Sequence, residues 1–204
     1  MPLIDSVWPR HAGIAWFRGA ALTLVGVVLL TTSAKIKVPF YPVPMTMQTF
    51  IVLVIGVAYG WRLAAVTLLL YLAAGAFGLP VFADTPEKGV GVPYMLGPTG
   101  GYLVGFLAAA TLVGLLAERG WDRGAAWLFA ALLLGHVLIF AFGVAWLAGQ
   151  IGLARAWNAG VTPFYLAALL KSALGVVVVR GAWWLDQRAA ARSAWSLDEQ
   201  DLPK

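Results

Sequence analysis

Cysteine is absent from the 204 residues. That excludes disulfides, thiol catalysis and cysteine-ligated metal or iron–sulfur sites. Charge is scarce as well. Only 11% of residues are Asp, Glu, Lys or Arg, against roughly 25% in soluble domains. No histidines sit at metal-ligand spacing, and neither a Walker-type phosphate loop nor a dinucleotide fingerprint occurs. Lacking that loop, the chain cannot hydrolyse ATP by that machinery, so any ATP-driven work needs another protein. With these signatures missing, we expect no enzyme, no resident cofactor and no metal. The N-terminal "MPLIDSVWPRHAG" has no short apolar core followed by a small-residue cleavage site, so no cleaved signal peptide is expected. The net charge of +5 is too modest to argue for nucleic-acid binding.

What the chain has is grease. Hydrophobic residues make up 61%, and the mean hydropathy is +0.84. Long apolar runs at this level predict residence in the lipid bilayer as one compact membrane domain. Six apolar segments are legible, at about 14–34, 47–60, 62–78, 100–117, 125–149 and 164–185. A spanning helix needs roughly 20 residues, which the first, fifth and sixth reach easily. The second and third are short and separated only by "YGWR". They read either as two short helices turning at Gly60 or as one irregular hairpin. Short or broken membrane helices survive only where protein or a cavity shields them.

Charge sets the expected orientation. With six spans and an inner N-terminus, Arg10, Arg18, Arg62, Arg119, Arg123, Arg180, Arg188, Arg192 and Lys204 fall inside. Lys35, Lys37, Lys88 and Arg155 fall outside. That bias follows the positive-inside rule. We therefore predict an all-α integral membrane protein of six transmembrane helices with both termini cytoplasmic. Residues 1–13 would form a cytoplasmic N-terminal segment, 14–187 the membrane domain, and 188–204 a frayed cytoplasmic tail. Most tryptophans, among them Trp8, Trp16, Trp61, Trp121, Trp127, Trp157, Trp183 and Trp184, read as interfacial belt residues. Glu118, Arg119, Asp122 and Arg123 read as a solvated inner loop.

Two polar interruptions share the outer face in this topology: "VPFYPVPMTMQTF" and "LPVFADTPEKGVGVPYMLGPTGGY". Proline narrows the conformations open to a loop and so lowers the entropy lost when it is ordered over a ligand. Thr46, Gln48 and Thr49 bring neutral donors and acceptors. Tyr41, Phe82 and Tyr94 bring flat apolar surface. The competing reading is a structural cap that only satisfies helix ends. Lys171, in "YLAALLKSALGVVVV", has no acid within helical reach. It must snorkel to the interface, pair with a distant acid, or meet an incoming anion. His136, in "LLLGHVLIF", reads first as a packing residue. Small residues recur every fourth position at Gly101, Gly105 and Ala109, and again at Ala15, Gly19 and Thr23. Such stripes permit close helix approach, within the chain or to another subunit.

In order and spacing these blocks resemble the BioY family, the biotin-binding S components of energy-coupling-factor (ECF) transporters. The family pattern pairs P-x-PVPxTxQT, GLPVF and GPTGGYLxGF blocks, which stand here at Pro39–Thr49, Gly78–Phe82 and Gly97–Phe106. The similarity runs from about Ser33 to Gly114 and continues weakly through "GVTPFYLAALLKSAL".

The resemblance implies the six-helix S-component fold in the bacterial cytoplasmic membrane, with biotin held near the outer face as transported ligand. It implies a transmembrane coupling subunit and a pair of ATP-binding subunits as partners. Ala15, Gly19 and Thr23 are then the candidates for docking on the coupling subunit while the S component topples. Without that subunit, a homo-oligomer is the form in which the family would act. Lys171 matches the family's lysine in the last helix, whereas the aspartate common three residues earlier is Ala168 here. Asp84 is the candidate to compensate. A lysine suits biotin's carboxylate, and Gln48, Thr46 or Asp84 suit the ureido edge. Tyr41, Phe82 and Tyr94 complete the candidate substrate site. The alternatives are an S component for another vitamin, or a membrane-embedded enzyme or ion pathway. The last is disfavoured because Lys171 and His136 are the only ionisable residues at depth.

Overall fold

The computed structural model describes residues 2–8, 15–38 and 41–198, with backbone alone at 7, 15, 38 and 190–198. The elements in chain order are α1 (Leu3–Val7), α2 (Ala15–Lys35), β1 (Lys37–Val38), β2 (Met45–Thr46) and α3 (Gln48–Ala76). There follow α4 (Gly91–Met95), α5 (Gly100–Glu118), α6 (Ala125–Ile151), α7 (Leu153–Gly160) and α8 (Tyr165–Asp198). The two strands form a minimal antiparallel hairpin, Lys37 opposite Thr46 and Val38 opposite Met45. Everything else regular is helical.

Among the described residues, five helices are long and apolar enough to cross a membrane: α2, α3, α5, α6 and α8. The sixth expected segment is folded into α3. That element breaks at Gly60, whose φ of 74° and ψ of 168° lie where only glycine sits comfortably. A straight helix would separate Gln48 from Tyr71 by about 35 Å. Instead Gln48 Nε2 donates to the Tyr71 hydroxyl at 2.5 Å. The element is therefore a hairpin whose two arms lie side by side. Glu118 at the end of α5 accepts from the Trp61 backbone N–H at 3.2 Å, placing an anion at the start of the second arm, where the helix dipole favours it.

α3 and α5 form the centre, with α6 against α5 and α2 against α3. The small-residue stripe of α5 serves this packing. A side chain at Gly105 would meet the Ile139 backbone of α6 at 2.9 Å, and one at Gly101 would overlap Phe142 and Trp146. Outward faces are apolar, as on α2 with Trp16, Phe17, Leu24, Val25 and Val28 exposed. That is the distribution a lipid-facing surface requires.

Charges segregate to the two ends of the bundle. At one end α1 touches α8, and Arg18 Nη2 donates to Asp5 at 2.8 Å. This end also holds Asp122, which the sequence suggests is merely solvated. It is instead 1% exposed and accepts from Trp183 Nε1 at 3.0 Å. Trp183 is correspondingly buried and no belt residue. The partner is 61 positions away, beyond any local pattern. The expected frayed tail also differs, because α8 runs on to Asp198. The stretch "RAAARSAW" is rich in strong helix formers. Residues 199–204 lie outside the described residues.

Candidate functional site

The opposite end carries the two polar interruptions, and they are tied together. Lys35, the last residue of α2, reaches across to the second one. Its Nζ donates to the carbonyls of Phe82 at 2.8 Å and Thr85 at 2.7 Å, and to the Thr85 hydroxyl at 3.0 Å. Lys37 pairs with Asp84, which also pairs with Lys88 at 2.6 Å. Asp84 has a φ of 56°, a left-handed conformation that aspartate tolerates better than most residues. Burial alone would push the Asp84 carboxyl up, but hydrogen bonds from Lys37 and Lys88 outweigh it and hold it below its ordinary value. The same bond holds the Lys37 ammonium above its ordinary value. Phe82 is 1% exposed, edge-on to Tyr71 and stacked on Tyr94, with both ring centroids 5.3 Å away.

Beneath these loops lies a chamber of about 640 Å³ of atom-free space, its mouth included. The first loop contributes Val43 to Thr46, and the start of α3 contributes Gln48 and Thr49. The α5 wall presents Thr99, Tyr102, Leu103 and Phe106, spaced as one helical face. His136, Ile139 and Phe140 of α6, Ala168 and Lys171 of α8, and Tyr94 of α4 also line it.

Polar atoms are sparse and mostly committed. Lys171 Nζ donates to the Thr46 carbonyl at 2.6 Å and to Thr49 Oγ1 at 3.1 Å. An ammonium has three donors, which leaves one without a protein partner among the described residues. The Tyr94 hydroxyl donates to the Ala83 carbonyl at 2.5 Å, and that of Tyr102 to the Gly160 carbonyl at 3.0 Å.

The expected residues thus divide. Lys171, Gln48, Thr46 and Tyr94 border the chamber together. Asp84 and Phe82 do not: the first fastens the loops and the second packs beneath them. Tyr41 is 89% exposed and points away. Ala168 borders the chamber beside Lys171, so no carboxylate replaces the missing aspartate at that spot. Thr49, named with Thr46 and Gln48 among the polar groups of the first loop, is in the wall, and Tyr102, Phe106, His136 and Phe140 join it without having been singled out as its members. The i, i+3, i+4, i+7 spacing from Thr99 was the available signal for Tyr102, Leu103 and Phe106. On α2, Gly19 has open space around its Cα, while Thr23 is 6% exposed and faces the bundle. The side chain of Ala15 lies outside the described residues, as do Pro39 and Phe40.

Residues 10–188 match the BioY family. The chain belongs to the BioY family. The match extends well beyond Ser33–Gly114, so most of α2, α6 and α8 share in it. A "Probable biotin transporter BioY" of Pyrococcus horikoshii is 35% identical over 158 residues, 78% of this chain and 91% of the relative. The "Biotin transporter BioY" of Thermotoga maritima is 36% identical over 151 residues, 74% of this chain and 86% of the relative. The fold is similar to that of the crystallised S-component for biotin from an ECF-type ABC transporter. The TM-score is 0.72 at 22% identity, covering 84% of this chain and 93% of that one. This BioY-family chain is a multi-helix bundle, with five apolar candidate spans among the described residues.

Proposed function

We propose that this chain is the biotin-binding S component of an ECF transporter, carrying the vitamin inward without chemical conversion. One observation carries the reading. In a BioY-family chain, the PVPxTxQT block, the GPTGGY helix and Lys171 meet around a single chamber at one end of the bundle. Its aromatic and aliphatic walls suit the bicyclic ring and valeryl chain, and the uncommitted N–H of Lys171 suits a ligand oxygen. Thr46, Gln48 and Tyr94 are the further contacts proposed. Asp84 acts through the loops, with Phe82 packed beneath them.

Counting the two arms of α3 separately gives six crossings. Arginine concentrates at the end where α1 meets α8, which by the positive-inside rule is the cytoplasmic end. Residues 1–13 and 188–204 then flank the 14–187 membrane domain on the inner side of a bacterial cytoplasmic membrane. The sequence has no Walker-type phosphate loop, and in this reading a transmembrane coupling subunit and ATP-binding subunits drive the cycle. The open surface at Gly19 is the docking point we favour on α2. A homo-oligomer is the alternative working form where coupling proteins are missing.

The test is equilibrium binding to the purified, detergent-solubilised chain, with biotin and two unrelated vitamins as ligands. We expect saturation with biotin alone. Saturation with another vitamin instead would keep the S-component architecture and change the cargo.

A further inference from the structure

His136 borders the chamber and is 2% exposed. Its Nδ1 lies 3.1 Å from the Leu132 carbonyl one turn back on α6, and 3.2 Å from Ser172 Oγ on α8. The Leu132 carbonyl can only accept and the Ser172 hydroxyl can accept or donate, so the tautomer that satisfies both contacts carries its proton on Nδ1. A second cation beside Lys171 would be buried without a counter-charge, which is costly, so the imidazole is neutral. Nε2 is then a bare acceptor. It is buried and has no hydrogen-bond partner among the described residues, a state that native structures rarely leave unexplained. Ser172 adjoins Lys171 in sequence, so the imidazole and the ammonium sit on neighbouring sectors of the same wall. Together they offer one spare N–H donor and one spare acceptor.

We propose that His136 Nε2 accepts a hydrogen bond from an amide-type N–H of the bound ligand. Resting on the biotin reading above, that group is a ureido N–H. A urea edge presents a carbonyl oxygen beside an N–H, the complement of Lys171 beside His136. His136 therefore fixes which end of the ligand enters first: the ring system goes to the α6–α8 wall and the carboxylate tail toward the loops.

The experiment measures the affinity of biotin and of its two ureido N-methyl derivatives for the wild-type chain, His136→Leu and His136→Gln. Removing the acceptor should weaken biotin about tenfold, and the Gln variant should recover most of that. Wild type should reject at least one N-methyl derivative relative to biotin. The Leu variant should lose about tenfold of that discrimination, because its wall no longer has an acceptor to leave unpaired. The discrimination ratio is taken within each variant, so a general loss of folded protein does not imitate it. Wild-type affinity for biotin in His136→Leu, or undiminished discrimination, would overturn the proposal while leaving the biotin reading intact. A wild-type chain that binds no biotin would instead remove that reading, and this proposal with it.

Discussion

Lys171 Nζ sits 2.6 Å from the carbonyl oxygen of Thr46, joining α8 to the loop 125 positions earlier. This contact, with the 3.1 Å bond to Thr49 Oγ1, explains how a lysine without an acid in helical reach is accommodated among apolar helices. Neutral oxygens solvate it, and among the described residues no carboxylate pairs with it. An arriving polar ligand therefore meets a cation whose positive field is not cancelled by a protein carboxylate.

The Thr49 bond should be visible as stability. Thr49→Val keeps the shape and removes one acceptor from the ammonium. A hydrogen bond to a charged group contributes about 1.5–3 kcal/mol, so the ligand-free variant should melt at lower temperature in detergent. An unchanged Tm would show that Lys171 does not depend on Thr49.

Gly60 should resist substitution. Gly60→Ala places a Cβ in a left-handed conformation and against the Glu118 carboxylate and Pro2. Strain of this kind costs about 1–3 kcal/mol. Thermal melts should show a loss of that order, accompanied by faster amide exchange around Trp61, where Glu118 caps the second arm. A variant as stable as wild type would contradict a hairpin turn at this residue.

The loop fastening at Asp84 should depend on pH with a definite sign. The folded carboxyl lies below its ordinary 3.8, so its contribution is complete above that value and is lost as pH falls through the folded pKa. The Lys37 ammonium lies above its ordinary 10.5, so its contribution is complete below that value and is lost as pH rises through the folded pKa. Between about pH 4 and 10 the pair should hold, and Asp84→Asn should loosen it throughout that window. Hydrogen exchange of residues 35–46 and 79–89 at pH 7 reads this directly. Equal protection in the variant would mean that Lys35, with its three bonds to Phe82 and Thr85, fastens the loops alone.

The sequence showed the site's blocks more clearly than its atoms. Proline-fixed loops, a lone lysine at depth and a helix opening with GPTGGY were all legible, and three of these features now border one chamber. Side-chain direction within the loops was not. Asp84, Phe82 and Tyr41 share a polar or aromatic character with Gln48 and Tyr94, yet loop backbone geometry sends them to a fastening, a packing layer and the surface. Long-range partners were equally hidden. Nothing near Asp122 announces Trp183, and nothing near His136 announces Ser172. Periodicity also could not tell two short helices turning at Gly60 from one irregular hairpin, because both give the same apolar spacing. Both arms are helical with the break confined to Gly60, so the first reading holds, and the Gln48–Tyr71 bond shows the arms folded back on each other.

The most direct test of the whole account is the equilibrium binding of radiolabelled biotin to the purified chain and to Lys171→Ala, with Tm recorded for both. Saturable binding by wild type, weakened in the variant by roughly 10- to 150-fold, matches the loss of one charge-assisted hydrogen bond of about 1.5–3 kcal/mol. Identical affinities in the two proteins would contradict it, leaving Lys171 as a strut between α8 and the first loop with no part in holding the ligand.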